Sequence, residues 1–111
     1  MQTLIANPVK QYVYIIETGR TNGKVSVRIG KSKDVDQRRK GIEMYCPNAK
    51  ILHTFHVAND NQTALQIEKK IHRMFPIQKQ GGDNFEFNSI YLANVVVPQI
   101  KELVRSLNVQ D

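Results

Sequence analysis

The spacing of apolar and polar residues changes period several times along the chain, and each change marks an element. "QYVYIIET" (Gln11–Thr18) is rich in β-branched and aromatic residues and predicts a strand. "GRTNG" (Gly19–Gly23) is turn chemistry, with Asn-Gly as its strongest signal. In "KVSVRIG", Val25, Val27 and Ile29 alternate with Ser26, Arg28 and Gly30, which predicts the second strand of an antiparallel hairpin. On the first strand Val13 and Ile15 oppose Tyr12, Tyr14 and Ile16, so the tyrosines and Arg28 are expected on the more polar side. The hairpin's second strand is expected to stop at Gly30, as a turn beside a helix. Val35, Arg38, Arg39, Ile42 and Tyr45 then recur at helical spacing, predicting a helix from the N-cap Asp34 to about Tyr45, where "YCPN" breaks it. "AKILHTFHV" (Ala49–Val57) predicts a third strand, and "NDNQTALQIEKKIHRMF" (Asn59–Phe75) a second helix capped near Asn59 to Asn61. "PIQKQGGDN" predicts a loop, and "FEF" (Phe85–Phe87) can form a short strand. Asn88 or Ser89 caps a C-terminal helix that Pro98 must break, kink or restart.

The order β-β-α-β-α-(β)-α predicts an α+β fold, a small three-stranded, partly antiparallel sheet flanked by helices, in a single domain over residues 1–111. That length supports a hydrophobic core without disulfides or structural metals. No stretch approaches the ~18 apolar residues of a membrane span, and "MQTLIANPVKQY" lacks a signal-peptide pattern. The single cysteine, Cys46, cannot form an internal disulfide, and an intracellular, reducing compartment is expected.

The second helix breaks its own pattern. Ala64, Leu65, Ile67, Ile71, Met74 and Phe75 cover one arc, and Gln66, Lys69, Lys70 and Arg73 the opposite one. Glu68 and His72 fall inside the apolar arc. A core-facing glutamate needs an arginine, a hydrogen-bond network or a metal ion. Glu68 is therefore either half of a structural salt bridge or a divalent-metal ligand. His72, one turn on, is either a second ligand or a packed histidine; the pair lacks the third ligand of a zinc motif. In the first helix Arg38 projects with Ile42 and Tyr45, and a planar guanidinium suits bidentate phosphate contact. A glycine turn, a helix N-terminus and this arginine are expected to meet at one spot that attracts anions.

Charge adds to this picture. Lys and Arg number 16 against 10 acidic residues, a net charge of +6, which favours a polyanionic partner such as nucleic acid.

Taken in order, "YVYII", "VRIGKSKDVDQRR" and the glutamate within "ALQIEKKIHRMF" resemble the GIY-YIG nuclease superfamily. The likeness is strongest to its small phage, viral and fungal branch, with a KIG-like second motif and a later "E…H…F…GG" segment. It covers about Gln11 to Phe87. The resemblance implies a metal-dependent endonuclease acting on DNA, with Mg2+ or Mn2+. Tyr14 stands at the first motif's tyrosine, a proposed general base beside the nucleophilic water. Gly30 stands at the second motif's glycine, Arg38 at the phosphate-steadying arginine, and Glu68 at the metal-binding glutamate. Tyr12 replaces the first motif's glycine, and Arg28 the second motif's tyrosine. Arg28 is expected to contact phosphate or to lower the pKa of Tyr14. Lys31, Lys33 and Arg39 are expected to bind nucleic acid, and Tyr12 and His72 are further candidates. The late asparagine falls on Asn84 or Asn88. No recognition module fits within this length, so specificity is expected to be modest or supplied by a partner protein. The alternatives are a nucleic-acid-binding module that does not cut and a protein-interaction domain.

Overall fold

The computed structural model describes residues 9–108. Residues 1–8, part of the stretch read for a signal peptide, lie outside the described residues. The hairpin forms as its pattern predicts: β1 (Gln11–Thr21) pairs antiparallel with β2 (Lys24–Ser32) across the Asn22-Gly23 turn. β3 (Lys50–Ala58) adds antiparallel to the other side of β1.

The sheet is larger than expected. β4 (Lys79–Gly81) and β5 (Asn84–Asn88) bring it to five strands in the order β3-β1-β2-β5-β4, every pairing antiparallel. The α+β class stands, but the three-stranded, partly antiparallel sheet does not. "FEF" is the middle of β5, with Phe85 and Phe87 buried and their neighbours exposed. β4 has three exposed residues and no apolar alternation, so no pattern announced it.

The two faces carry unequal cores. On one, Val13, Ile15, Val25, Val27, Ile29, Phe85 and Phe87 pack against α2 (Asn61–Met74) and the C-terminal helix. α2 contributes Ala64, Ile67, Ile71 and the adjacent Phe75, the arc its periodicity marks. Each of the valine, isoleucine and phenylalanine side chains stabilises the fold by roughly 1.5–3 kcal/mol on full burial. On the other face Tyr14 and Ile16 pack beneath Val35 and Ile42 of α1 (Val35–Glu43), with Ala49. The side expected to be more polar thus holds a second, smaller core, and Tyr14 is only 1% exposed.

The caps follow sequence chemistry. Asp34 accepts from the Gln37 N–H at 3.0 Å, and Asp60, between the expected Asn59 and Asn61, accepts from Thr63 at 2.7 Å. Asn88 rather than Ser89 caps the C-terminal segment, accepting from Ile90 and Tyr91. α3 (Ser89–Tyr91), a π-helical turn (Leu92–Val96) and α4 (Val97–Asn108) run on without a gap. The Val97 N–H bonds to the Leu92 carbonyl, so the register widens just before Pro98, which has no N–H to give. The helix passes the proline by this change of register.

Gly30 is not a turn. It lies within β2, directly across from Tyr14. A Cβ there would meet the Tyr14 hydroxyl oxygen at 2.5 Å, Tyr14 Cζ at 2.8 Å and Asp83 Oδ2 at 3.2 Å. The missing side chain is the space into which the phenol end of Tyr14 fits. Gly30→Ala is expected to destabilise the fold by about 1–3 kcal/mol, because the buried ring must move. Gly41→Ala, on an exposed part of α1 with nothing within 4 Å, is expected to be neutral or stabilising by up to about 1 kcal/mol. Urea denaturation of both variants checks the contrast.

Candidate functional site

β5 pairs with β2 only from Lys24 to Arg28, and β2 runs on to Ser32. The backbone beyond Arg28 therefore needs other partners on that side. The Ile29 N–H donates to the Asp83 carbonyl at 3.0 Å. The Ile29 carbonyl accepts from His72 Nε2 at 2.8 Å. The Lys31 N–H lies near enough to the Glu68 carboxylate to favour its ionised form. Glu68 and His72 thus sit inside the apolar arc of α2 because they complete the sheet edge there.

Asp83 is the residue that sequence reasoning missed. Gly81 and Gly82, at φ 124° and 55°, turn the chain from β4 so that Asp83 comes back against β2. Its carboxylate lies 3.8 Å from Arg28 Nη2 and 3.9 Å from His72 Nε2. The available signal was the acid immediately after a Gly-Gly pair in "QGGDNF".

Glu68, His72 and Asp83 each offer a ligand atom, and these atoms lie within 4.8 Å of one another. The proton of His72 Nε2 is committed to the Ile29 carbonyl, so that nitrogen has no lone pair to offer. Nδ1 keeps the lone pair of the neutral ring, and the two carboxylates supply the oxygen donors. Burial, and then the neighbouring Asp83 charge, push the Glu68 carboxyl above its ordinary range, against the weaker opposing effects of His72 and Lys31. Two carboxylates this close are a donor set for a hard, oxygen-preferring divalent cation, which would relieve their repulsion.

Tyr14 feels the same group of charges. Burial raises its pKa above the ordinary value; Arg38 and, less strongly, Arg28 oppose this, while Asp83 and Glu68 add to it. Arg28 was expected to lower the Tyr14 pKa; its charge pulls that way, but burial outweighs it and the net shift is upward. Arg28 itself is loosely held. Its Nη1 donates to the Tyr45 hydroxyl at 3.2 Å, Asp83 is 3.8 Å away, and its buried Nε has no hydrogen-bond partner among the described residues. An unsatisfied buried donor is costly, and a guanidinium so placed has capacity for a better acceptor.

Tyr14, Arg28, Gly30, Arg38, Glu68 and His72 therefore act on one another around a common spot. Lys31 reaches it through its backbone, while its ammonium donates to Asn61 at 2.7 Å. Lys33 is exposed between β2 and α1. Arg39 turns to Asp36 and Glu43 on its own helix, at 3.6 and 3.2 Å, and the structure does not bring it to the group. Tyr12 tilts against His56 with ring centroids 5.6 Å apart and packs at the edge of the smaller core. Asn84 donates to the Gly81 carbonyl, and Asn88 is the helix cap. A cleft of about 350 Å³ opens beside the group, lined by Arg38, Gln37, Ser32 and Tyr45 among others.

Two measurements follow from these environments. The wild-type minus Tyr14→Phe difference in absorbance at alkaline pH should show a phenol ionising above the usual ~10. The sign of the linkage is fixed: a raised folded-state pKa gives a contribution complete below ~10 and lost as pH rises through the folded value. For Glu68 the raised pKa means that ionisation costs folding free energy as pH rises past ~4.3. Without divalent metal near neutral pH, Glu68→Gln, which keeps an oxygen for the Lys31 N–H, should therefore melt at or above the wild-type temperature. Differential scanning calorimetry in chelator checks it.

Among the described residues no helix is long and apolar enough to cross a membrane. No curated protein and no solved structure matches the chain. The T5orf172 domain matches residues 11–107 and points to a nuclease-like, DNA-binding module. The match takes in every strand and nearly all of the C-terminal helix, so the chain belongs to the T5orf172 domain family.

Proposed function

We propose that the protein is a divalent-metal-dependent endonuclease of the GIY-YIG kind that hydrolyses phosphodiester bonds in DNA. The observation that carries this reading is the meeting of Tyr14, Arg28, Arg38, Glu68 and Asp83, from four separate elements and one loop, at the Gly30 notch. Glu68 and Asp83 would hold Mg2+ or Mn2+. Bound there, the ion would supply Lewis-acid stabilisation of the charge that builds on the phosphate and on the leaving oxygen.

The chain's own groups do the rest. Arg38 and Arg28 place fixed positive charge where the phosphate gains negative charge in the transition state. Arg28 can trade its long contacts to Tyr45 and Asp83 for shorter ones to phosphate oxygens. Tyr14, held neutral by burial, orients the attacking water through its hydroxyl rather than by removing a proton as a phenolate. The water oxygen adds to phosphorus and gives up a proton to solvent, as the bond to the leaving sugar oxygen breaks and that oxygen takes a proton from solvent. His72 fixes the edge of β2 by its bond to Ile29, and so the position of Gly30 against Tyr14. Lys31 and Lys33 add to the positive surface that DNA approaches.

One observation favours a second reading, a module that binds nucleic acid without cutting it. Arg28 occupies the position of a proton-transferring tyrosine, and Tyr14 is harder to ionise than a free phenol. Nicking of supercoiled plasmid in Mg2+ separates the two readings. The nuclease reading expects wild type to nick, Arg38→Ala to lose at least about 10²-fold, and Glu68→Gln to lose metal-dependent nicking. Binding without nicking, unaffected by Glu68→Gln, supports the second reading instead.

A further inference from the structure

The cleft beside the site has features that phosphate handling does not use. Tyr45 lies just past the end of α1 with 66% of its surface exposed, and belongs to neither core. Its backbone closes the last turn of the helix, and its hydroxyl meets Arg28. Its N–H donates to the Ile42 carbonyl at 3.1 Å, and its hydroxyl accepts from Arg28 at 3.2 Å. An aromatic ring fixed at its backbone and open on its surface offers a face for stacking, which does not need the hydroxyl contact once Arg28 turns to phosphate. It borders a cleft of about 350 Å³, at the small end of the range that organic ligands occupy. Gln37 lines the same cleft, and its side-chain amide offers both a donor and an acceptor to a planar heterocycle. Arg38 belongs to both places: it lines the cleft and is the cation acting most strongly on Tyr14. A phosphate held by Arg28 and Arg38 would therefore leave its neighbouring nucleotide beside Tyr45.

We infer that this cleft receives an unpaired nucleobase, stacked on Tyr45, next to the phosphate being cleaved. The inference rests on the phosphodiester reading of the site and narrows its substrate class. A base within a duplex has both faces covered by its neighbours, so only one that is single-stranded, bulged or extruded can enter. The preferred substrates are then polynucleotides with a locally unpaired base. Stacking on one aromatic side chain contributes roughly tenfold or more in affinity per base and is tolerant of base identity.

The test measures binding, separately from cleavage. The Glu68→Gln protein, in chelator, is titrated by fluorescence anisotropy into three labelled DNAs: a perfect duplex, the same duplex with one unpaired 2-aminopurine, and the single strand. Affinity should be higher for the two DNAs with an accessible base. Adding Tyr45→Leu should weaken binding to those two by about tenfold and to the perfect duplex by less than about twofold. Tyr45→Phe, which keeps the ring, should retain the preference for an accessible base. The 2-aminopurine emission should be quenched on binding, and the quench should be lost with Tyr45→Leu. The exposure of Tyr45 makes a folding defect in the leucine variant unexpected, and circular dichroism checks this. Equal affinity for all three DNAs, or equal losses on all three with no quench, overturns the inference and leaves the nuclease reading in place. Failure to bind any of the DNAs at low salt overturns both.

Discussion

The site depends on an unfinished sheet edge. β2 extends past the last residue that β5 pairs with, and the exposed main-chain groups of Ile29 and Lys31 need partners. Leaving them unsatisfied would cost about 1–3 kcal/mol each. α2 meets the need with side chains instead of a strand: His72 bonds to the Ile29 carbonyl, and Glu68 is brought near the Lys31 N–H. Ile67 and Ile71 of the same helix are buried in the main core, so its height over the sheet is set by packing. The polar pair is then carried to the edge with little freedom. Packing of α2 has placed a carboxylate beside Asp83 at the edge of the sheet.

Gly30 joins the two faces of the sheet at that edge. Glu68 and His72 come from the helix on the larger core, whereas Tyr14 and Arg38 belong to the side covered by α1. A side chain at position 30 would occupy the space in which the Tyr14 hydroxyl and the Asp83 carboxylate approach each other. The same closeness explains the electrostatics. Burial makes both Tyr14 and Glu68 harder to ionise, and Asp83 adds to the effect on each. Two carboxylates, one of them poorly solvated, thus lie beside two arginines. A dication between the carboxylates, and a phosphate between the ion and the arginines, would satisfy all of these groups together.

Much of this was legible along the chain, for identifiable reasons. The hairpin, both early helices and their caps follow from alternation, helical spacing and Asn-Gly and Asp chemistry, all of which are local. Glu68 and His72 stood out because they violated the pattern of α2. Three features were hidden because they depend on contacts between distant segments. β4 has no buried residue, so its existence rests only on pairing with β5. Asp83 is one more acid in a polar loop until Gly81 and Gly82 turn it toward β2. Gly30 reads as a strand stop, since a glycine that makes room and a glycine that turns look alike in sequence. The pKa of Tyr14 was hidden too, because burial and cations pull in opposite directions and the sequence does not show which is larger.

The central claim is that Glu68 and Asp83, brought together by the β2 edge and the Gly81-Gly82 turn, form one oxygen-ligand site facing Tyr14. Anomalous scattering from crystals soaked in Mn2+ tests it most directly. The account predicts a single strong peak at bonding distance from a carboxylate oxygen of each residue, on the Tyr14 side of Gly30. No peak there at millimolar Mn2+, or a peak that leaves both carboxylates in their metal-free positions, would contradict it.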